Sequence, residues 1–173
     1  MTYWSKRSYA EASTAPDGLA ERGYVYSVNE LFTMEAAAST NFEMMTNTKS
    51  IRILWYSIDS TLHPVEAFLI EGGTATAGTY VPTPRNLNRT YPDAATALVR
   101  SCTSPSGGTA IFSEMAGVAS KGGGSAESGK IITLKALHRY VMSFTNTGNQ
   151  ATRVHFDIGW SEEDPNPKPL WVT

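Results

Sequence analysis

The sequence predicts an all-β fold: a single β-sandwich, jelly-roll-like, of eight or nine strands, with extended arms at both ends. Three observations lead there. Short apolar runs of strand length recur along the chain, turn chemistry separates them, and no stretch sustains a helical period. The clearest run lies between Lys130 and Trp160. There every second residue is apolar: Ile132, Leu134 and Ala136, then Tyr140, Met142 and Phe144, then Val154, Phe156, Ile158 and Trp160. Successive Cβ atoms of a strand point to opposite faces of a sheet, so this alternation marks half-buried strands with an aromatic-rich inner wall. The interruption Thr145-Asn146-Thr147-Gly148-Asn149-Gln150 holds residues that tolerate positive φ. It predicts that the last two strands pair as a hairpin.

From the N-terminus, residues 1–22 read as an arm without periodicity, containing the turn signal Ala15-Pro16-Asp17-Gly18. Tyr3 and Trp4 stand out in it, either folded back on the chain's own domain or anchored on a neighbour. The sandwich domain spans 23–162. A first strand begins after Gly23 with Tyr24, Tyr26 and Val28 on one parity, and Glu35-Ala36-Ala37-Ala38 is a connection too short to be a helix. Asn41 to Thr46 is a short strand. Ile51 to Ile58, dense in β-branched and aromatic residues, is the best candidate for a central strand, with Trp55 and Trp160 both assigned to the core.

Val65 to Glu71 follows as a strand and Gly72-Gly73 ends it. The segment from Gly78 to Pro92 carries Pro82, Pro84 and Pro92, which cannot donate to a ladder, so it is a surface crossing or an edge. Ala94 to Thr103 and Thr109 to Gly117 are strands around the turn Ser104-Pro105-Ser106-Gly107-Gly108, and Lys121-Gly122-Gly123-Gly124-Ser125 is a flexible loop. Residues 163–173 form a Pro-rich tail. Its alternate prolines favour a polyproline II strut ending in Leu170 and Trp171, which reads better as docking on another subunit than on its own body.

Composition narrows the function. With 173 residues and a net charge of −2, without a block of like charge, the chain lacks the clustered Lys and Arg that nucleic acid requires. No stretch reaches the ~20 apolar residues of a membrane span, and the N-terminus does not read as a signal peptide. Only 17% of residues are charged, which suits a surface packed against other proteins.

Catalytic and metal constellations are weak. Cys102 is the single cysteine and reads as an ordinary buried thiol, so no disulfide is expected and folding in a reducing cytoplasm is. His63, His138 and His155 lack the spacing of a metal pair, although the expected hairpin would bring His138 towards His155. Glu162-Glu163-Asp164 reads as a solvated charge run rather than an acid/base pair. The glycines at 122–124 lack the spacing of a phosphate loop. The expectation is therefore a non-enzymatic protein with no catalytic residue, no cofactor and no metal.

One resemblance adds to this. The segment Gly78-Thr79-Tyr80-Val81-Pro82-Thr83-Pro84-Arg85-Asn86-Leu87-Asn88-Arg89 resembles the Gly-Thr to Pro-x-Asn-x-Asn-Arg crossing of a group of tailed-phage virion proteins. A strand like Ile131-Ile132-Thr133-Leu134, a Tyr-bearing strand like Arg139 to Thr145, and the closing aromatic-x-x-x-Trp of Phe156 to Trp160 come after it in the same order. The resemblance covers about residues 24–162; the Tyr3-Trp4 arm and the tail to Trp171 lie outside it. It implies a capsid decoration or cement protein, made in the bacterial host cytoplasm and placed on the outer capsid surface of the virion. Its partners would be the major capsid protein and further copies of itself in a homotrimer, with neither nucleic acid nor membrane. The alternative is a tail or fibre component, a receptor- or carbohydrate-binding sandwich. Interface residues on the first reading are Tyr3, Trp4, Leu170 and Trp171 at the ends, and Arg85, Asn86, Asn88 and Arg89 at a trimer contact. The crossing also reads as a polar loop held to its own domain.

Overall fold

A computed structural model describes residues 23–90, 93–116, 124–128 and 132–163. The architecture is all-β, with two antiparallel sheets packed face to face. The strands are β1 (Val25–Met34), β2 (Ser39–Met45), β3 (Ser50–Ser60), β4 (Val65–Glu71), β5 (Thr74–Ala77), β6 (Arg85–Asn86), β7 (Leu98–Ser106), β8 (Thr109–Ala116), β9 (Gly124–Ser128), β10 (Ile132–Leu134), β11 (Arg139–Asn146) and β12 (Thr152–Glu163). Among the described residues the strands number twelve, against the eight or nine expected. The crossing contributes β6, the glycine pair at 72–73 separates β5 from β4, and part of the Gly-rich segment read as a flexible loop enters β9. The arm at 1–22 and the tail from 164 lie outside the described residues.

The first sheet runs β10-β3-β12-β1-β6, and the second β5-β7-β2-β11-β4-β8. In the first, β3 is bordered by β12 along one edge and by both β10 and β9 along the other. The expected terminal hairpin does not form. β11 lies in the second sheet between β2 and β4, whereas β12 lies in the first between β1 and β3. Alternation tells that a strand has one apolar face, not which strand it pairs with. Placing the two apolar faces against each other across the core buries both, which side-by-side pairing would not do.

That core is aromatic at its centre. Phe42 and Phe144 of the second sheet meet Phe156 of the first with ring centroids 6.3 and 4.8 Å away, and Tyr56 meets Phe156 edge-on at 5.4 Å. Such offset and edge contacts favour aromatic pairs beyond their area burial, by about 0.5–1.5 kcal/mol each. Tyr24, which shares a parity with Tyr26 and Val28, is exposed, because the inward set of β1 begins at Tyr26.

The second sheet contains a ribbon folded on itself. Residues 65–77 and 102–116 pair antiparallel in nearly continuous register, from Val65 opposite Ala116 through Glu71 opposite Thr109 to Ala77 opposite Cys102. The ribbon bends between β4–β8 and β5–β7, where Gly72, Gly107 and Gly108 have φ of 75°, 68° and 82°. A Cβ on Gly108 would lie 2.7 Å from the carbonyl oxygen of Glu71, so this bend requires glycine for space as well as for torsion. Because of the bend, one half of the ribbon pairs with β11 and the other with β2. The chain between β5 and β7 is the crossing that the prolines marked. It brings β6 onto the free edge of β1 and so stitches the second sheet to the first.

A buried carboxylate fixes the far end of this crossing. Glu162 accepts hydrogen bonds from the Thr96 backbone N–H at 2.8 Å, the Thr96 hydroxyl at 2.6 Å, the Ala97 N–H at 3.0 Å and the indole N–H of Trp160 at 3.0 Å. The solvated reading of Glu162 is therefore wrong, since β12 continues through Glu163 and its inward parity carries Glu162 inside. A buried carboxylate is tolerable when donors surround it, as they do here.

Candidate functional site

Two surfaces carry features that the fold itself does not require. The first is the crossing. Gly78 N–H donates to the Ser101 carbonyl at 2.8 Å, and a Cβ on Gly78 would lie 2.2 Å from the Ser101 hydroxyl oxygen, so the crossing leaves β5 pressed against β7. The Tyr80 hydroxyl then reaches both oxygens of Glu30, at 2.9 and 2.8 Å, and this hydrogen bond raises the phenol above its ordinary pKa. Pro82 is buried. Asn86 donates to the Gly23 carbonyl at 2.9 Å and accepts from the Asn88 N–H at 2.9 Å; Asn88 in turn accepts from the Thr90 N–H at 3.0 Å. These side chain-to-backbone bonds two residues on are Asx turns, which set the loop's shape.

The expected interface residues of the crossing therefore divide. Asn86 and Asn88 are half-buried and bond to their own chain, while Arg85 and Arg89 are exposed. Beside the arginines stand three residues that sequence reasoning did not select: Tyr80, Val81 and Leu87, exposed by 51, 50 and 45%. The signal for Val81 and Leu87 was their place beside Pro82 and between Asn86 and Asn88, which turn inward; Tyr80 follows no such alternation. Tyr3, Trp4, Leu170 and Trp171 lie outside the described residues.

The second surface is the outer face of the first sheet, and its centre is Trp55. In the register of β3 with β12, Trp55 stands opposite Gly159 but Ile53 opposite Trp160, so Leu54 is an extra residue, a β-bulge. Ile51 and Ile53 before it and Tyr56 and Ile58 after it all face the core. The bulge thus turns Trp55 outward, contrary to its assignment to the core; Trp160 is buried as expected. A Cβ on Gly159 would lie 2.0, 2.1 and 2.2 Å from three consecutive atoms of the Trp55 six-membered ring. Near-equal distances to three neighbouring ring atoms mean that the face of the indole, not its edge, covers Gly159. The indole N–H donates to Asp157 Oδ2 at 3.1 Å, locking the ring in place.

Around this ring the register sets polar side chains in rows. Asn29, Asp157 and Ser57 form one row across β1, β12 and β3, and Leu31, His155 and Asp59 form the next. His155 Nδ1 lies 3.2 Å from Asp59 Oδ2, with both side chains partly exposed. His138 lies in the connection just before β11, where its carbonyl accepts from the Thr46 N–H, and the hairpin expected to bring it towards His155 does not form. Among the described residues, no three His, Cys, Asp or Glu side chains gather as a metal site, and no helix is long and apolar enough to cross a membrane. Cys102 is buried, and burial, with the Glu43 carboxylate nearby, pushes its thiol up to about 11. No protein-family model, curated protein or solved structure matches this chain.

Proposed function

We propose that the protein is a non-enzymatic capsid decoration protein that binds the outer surface of a phage head and bridges subunits of the major capsid protein. The observation that carries this reading is the crossing. It is a long surface connection pinned at its start by Ser101, in its middle by β1 and Gly23, and at its end by Glu162, and it presents Tyr80, Val81, Arg85, Leu87 and Arg89 outward. Long connections inside a compact domain are commonly functional, and aromatic residues and arginine are enriched in protein interfaces. A loop already held in shape loses little entropy on docking, which favours association. Self-association as a homotrimer through this edge belongs to the same proposal.

The strand order supports the finer reading of the fold as a jelly roll. With β5, β6 and β7 set aside as an insertion, the sheets reduce to β10-β3-β12-β1, with β9 beside β3, and β2-β11-β4-β8. From β1 to β4, and again from β8 through β9 and β10 to β12, the chain passes to the opposite sheet at each step, apart from the step between β9 and β10. Such alternation is what two Greek keys folded together would give, an architecture frequent in viral capsid proteins, and it supports this reading. Fold alone does not fix function, so the test must be one of location. Gold-labelled antibodies against the chain, applied to virions of the phage that encodes it, are expected to decorate the head. Labelling of the tail alone favours the fibre reading, and unlabelled virions overturn both. Light scattering of the purified protein is expected to give the mass of a trimer; a monomer both free and on particles would remove the trimer contact.

A further inference from the structure

We propose that the outer face of the first sheet, centred on Trp55, is a binding platform for a neutral saccharide built of pyranose units. A pyranose with equatorial substituents has a flat C–H face that stacks on an aromatic ring, and its rim carries hydroxyls that need paired acceptors and donors. Trp55 supplies the ring. It lies face-down on Gly159, is half-buried, and cannot swing while Asp157 holds its N–H. An aromatic fixed on strands, with its orientation set by a neighbour, is what a preformed stacking site requires.

Asp157 engages one carboxylate oxygen with the indole. Asn29, opposite it on β1, is exposed and adds an amide with both donor and acceptor. One row further on, Asp59 and His155 form a second polar pair beside exposed Leu31. Rows on one face of a strand are spaced by about 6.6 Å, of the same order as the advance per sugar unit of an extended chain. A chain stacked at Trp55 and running along β12 therefore meets Asp157 and Asn29 first, then Asp59 and His155. The two aspartates disfavour uronic and sialic acids, which leaves neutral hexoses and N-acetylhexosamines as the class. This site is separate from the crossing and stands whether or not the protein decorates a capsid.

Isothermal titration of the full chain with cellopentaose, maltopentaose and chitopentaose, and with a pentagalacturonate as the charged control, tests the proposal. At least one neutral oligosaccharide is expected to bind, and the charged one at least tenfold more weakly. Trp55→Ala is expected to weaken binding by more than tenfold, Trp55→Phe by only a fewfold, and Asn29→Ala, at an exposed position, by roughly threefold with unchanged thermal unfolding. Heat release with none of the neutral probes at millimolar concentration overturns the proposal, as does binding that survives Trp55→Ala. So does a Trp55→Ala variant that loses particle occupancy while the intact chain binds none of the sugars, which would make Trp55 a protein contact.

Discussion

The two sheets turn different kinds of surface outward. On the first, Asp59, His155 and Asp157 project around an indole laid flat, with bonding capacity directed to solvent. On the second, Glu43 points away from the core and is nonetheless fully buried, because Arg100 pairs with one of its oxygens and Arg139 Nε lies 3.1 Å from the other. Val141 and Cys102 beside it are buried too. Around Glu43 the second face is covered by its own side chains and has its charge matched internally. Polar content alone therefore does not mark a binding surface. A carboxylate already held by two guanidinium groups is part of the fold, and one that only orients an indole still has a surface to offer.

The largest effect expected from this contrast is at Glu43. Removing it leaves two arginines without their partner, so Glu43→Ala is expected to lower unfolding free energy by about 3 kcal/mol, read from the urea midpoint. The equivalent change on the first sheet, Asp157→Ala, is expected to cost less than about 1 kcal/mol while freeing the Trp55 ring, detectable as increased acrylamide quenching. Equal costs at the two carboxylates would erase the distinction.

Cys102 reports on the same cover. With its thiol raised from 9.0 to about 11, the thiolate fraction at pH 8 falls roughly a hundredfold even before access is considered. Alkylation of native protein is expected to be at least that much slower than in urea. The pH dependence has a fixed sign. Well below pH 9 this thiol contributes no slope. From there towards pH 11 the unfolded thiol ionises while the buried one stays protonated, so stability falls as pH rises.

Gly159→Ala sharpens the other side. Its Cβ would overlap the Trp55 ring, so the ring must lift, at a stability cost of about 1–2 kcal/mol. The near-ultraviolet circular dichroism of tryptophan is expected to change, and an unchanged spectrum would mean that the indole does not lie on Gly159. The smallest effect is expected at Tyr80→Phe, which removes an exposed bond to Glu30. It should leave the urea midpoint nearly unchanged and abolish a phenol titrating above the ordinary tyrosine value.

The sequence made the strands legible but not their partners. Val65 to Glu71 was readable to the residue because glycines come directly after it and its parity is clean. Ile51 to Ile58 was readable as a strand, yet a bulge at Leu54 leaves no trace in composition, and so Trp55 was placed on the wrong side. The pairing of β11 was hidden for a different reason. Both its neighbours, β2 and β4, are distant in the chain, and local turn chemistry carries no information about them. Glu162 misled because charge predicts solvent, whereas the donors that hold it come from Thr96 and Ala97, more than sixty residues upstream. The crossing was visible through its prolines, which mark an edge whatever the edge is for.

The position of β12 has a consequence for how the protein is made. β1 and β3 have no ladder with each other; both are joined through β12, with Val25 paired to Ser161 and Ser60 to Val154. During synthesis β1 and β3 leave the ribosome early and then wait for a strand more than ninety residues later. Until that strand arrives, their apolar faces must be kept from other chains, and contacts so distant in sequence form slowly. A nascent chain stopped before residue 152 has no centre for its first sheet, so only molecules translated through β12 can complete the fold.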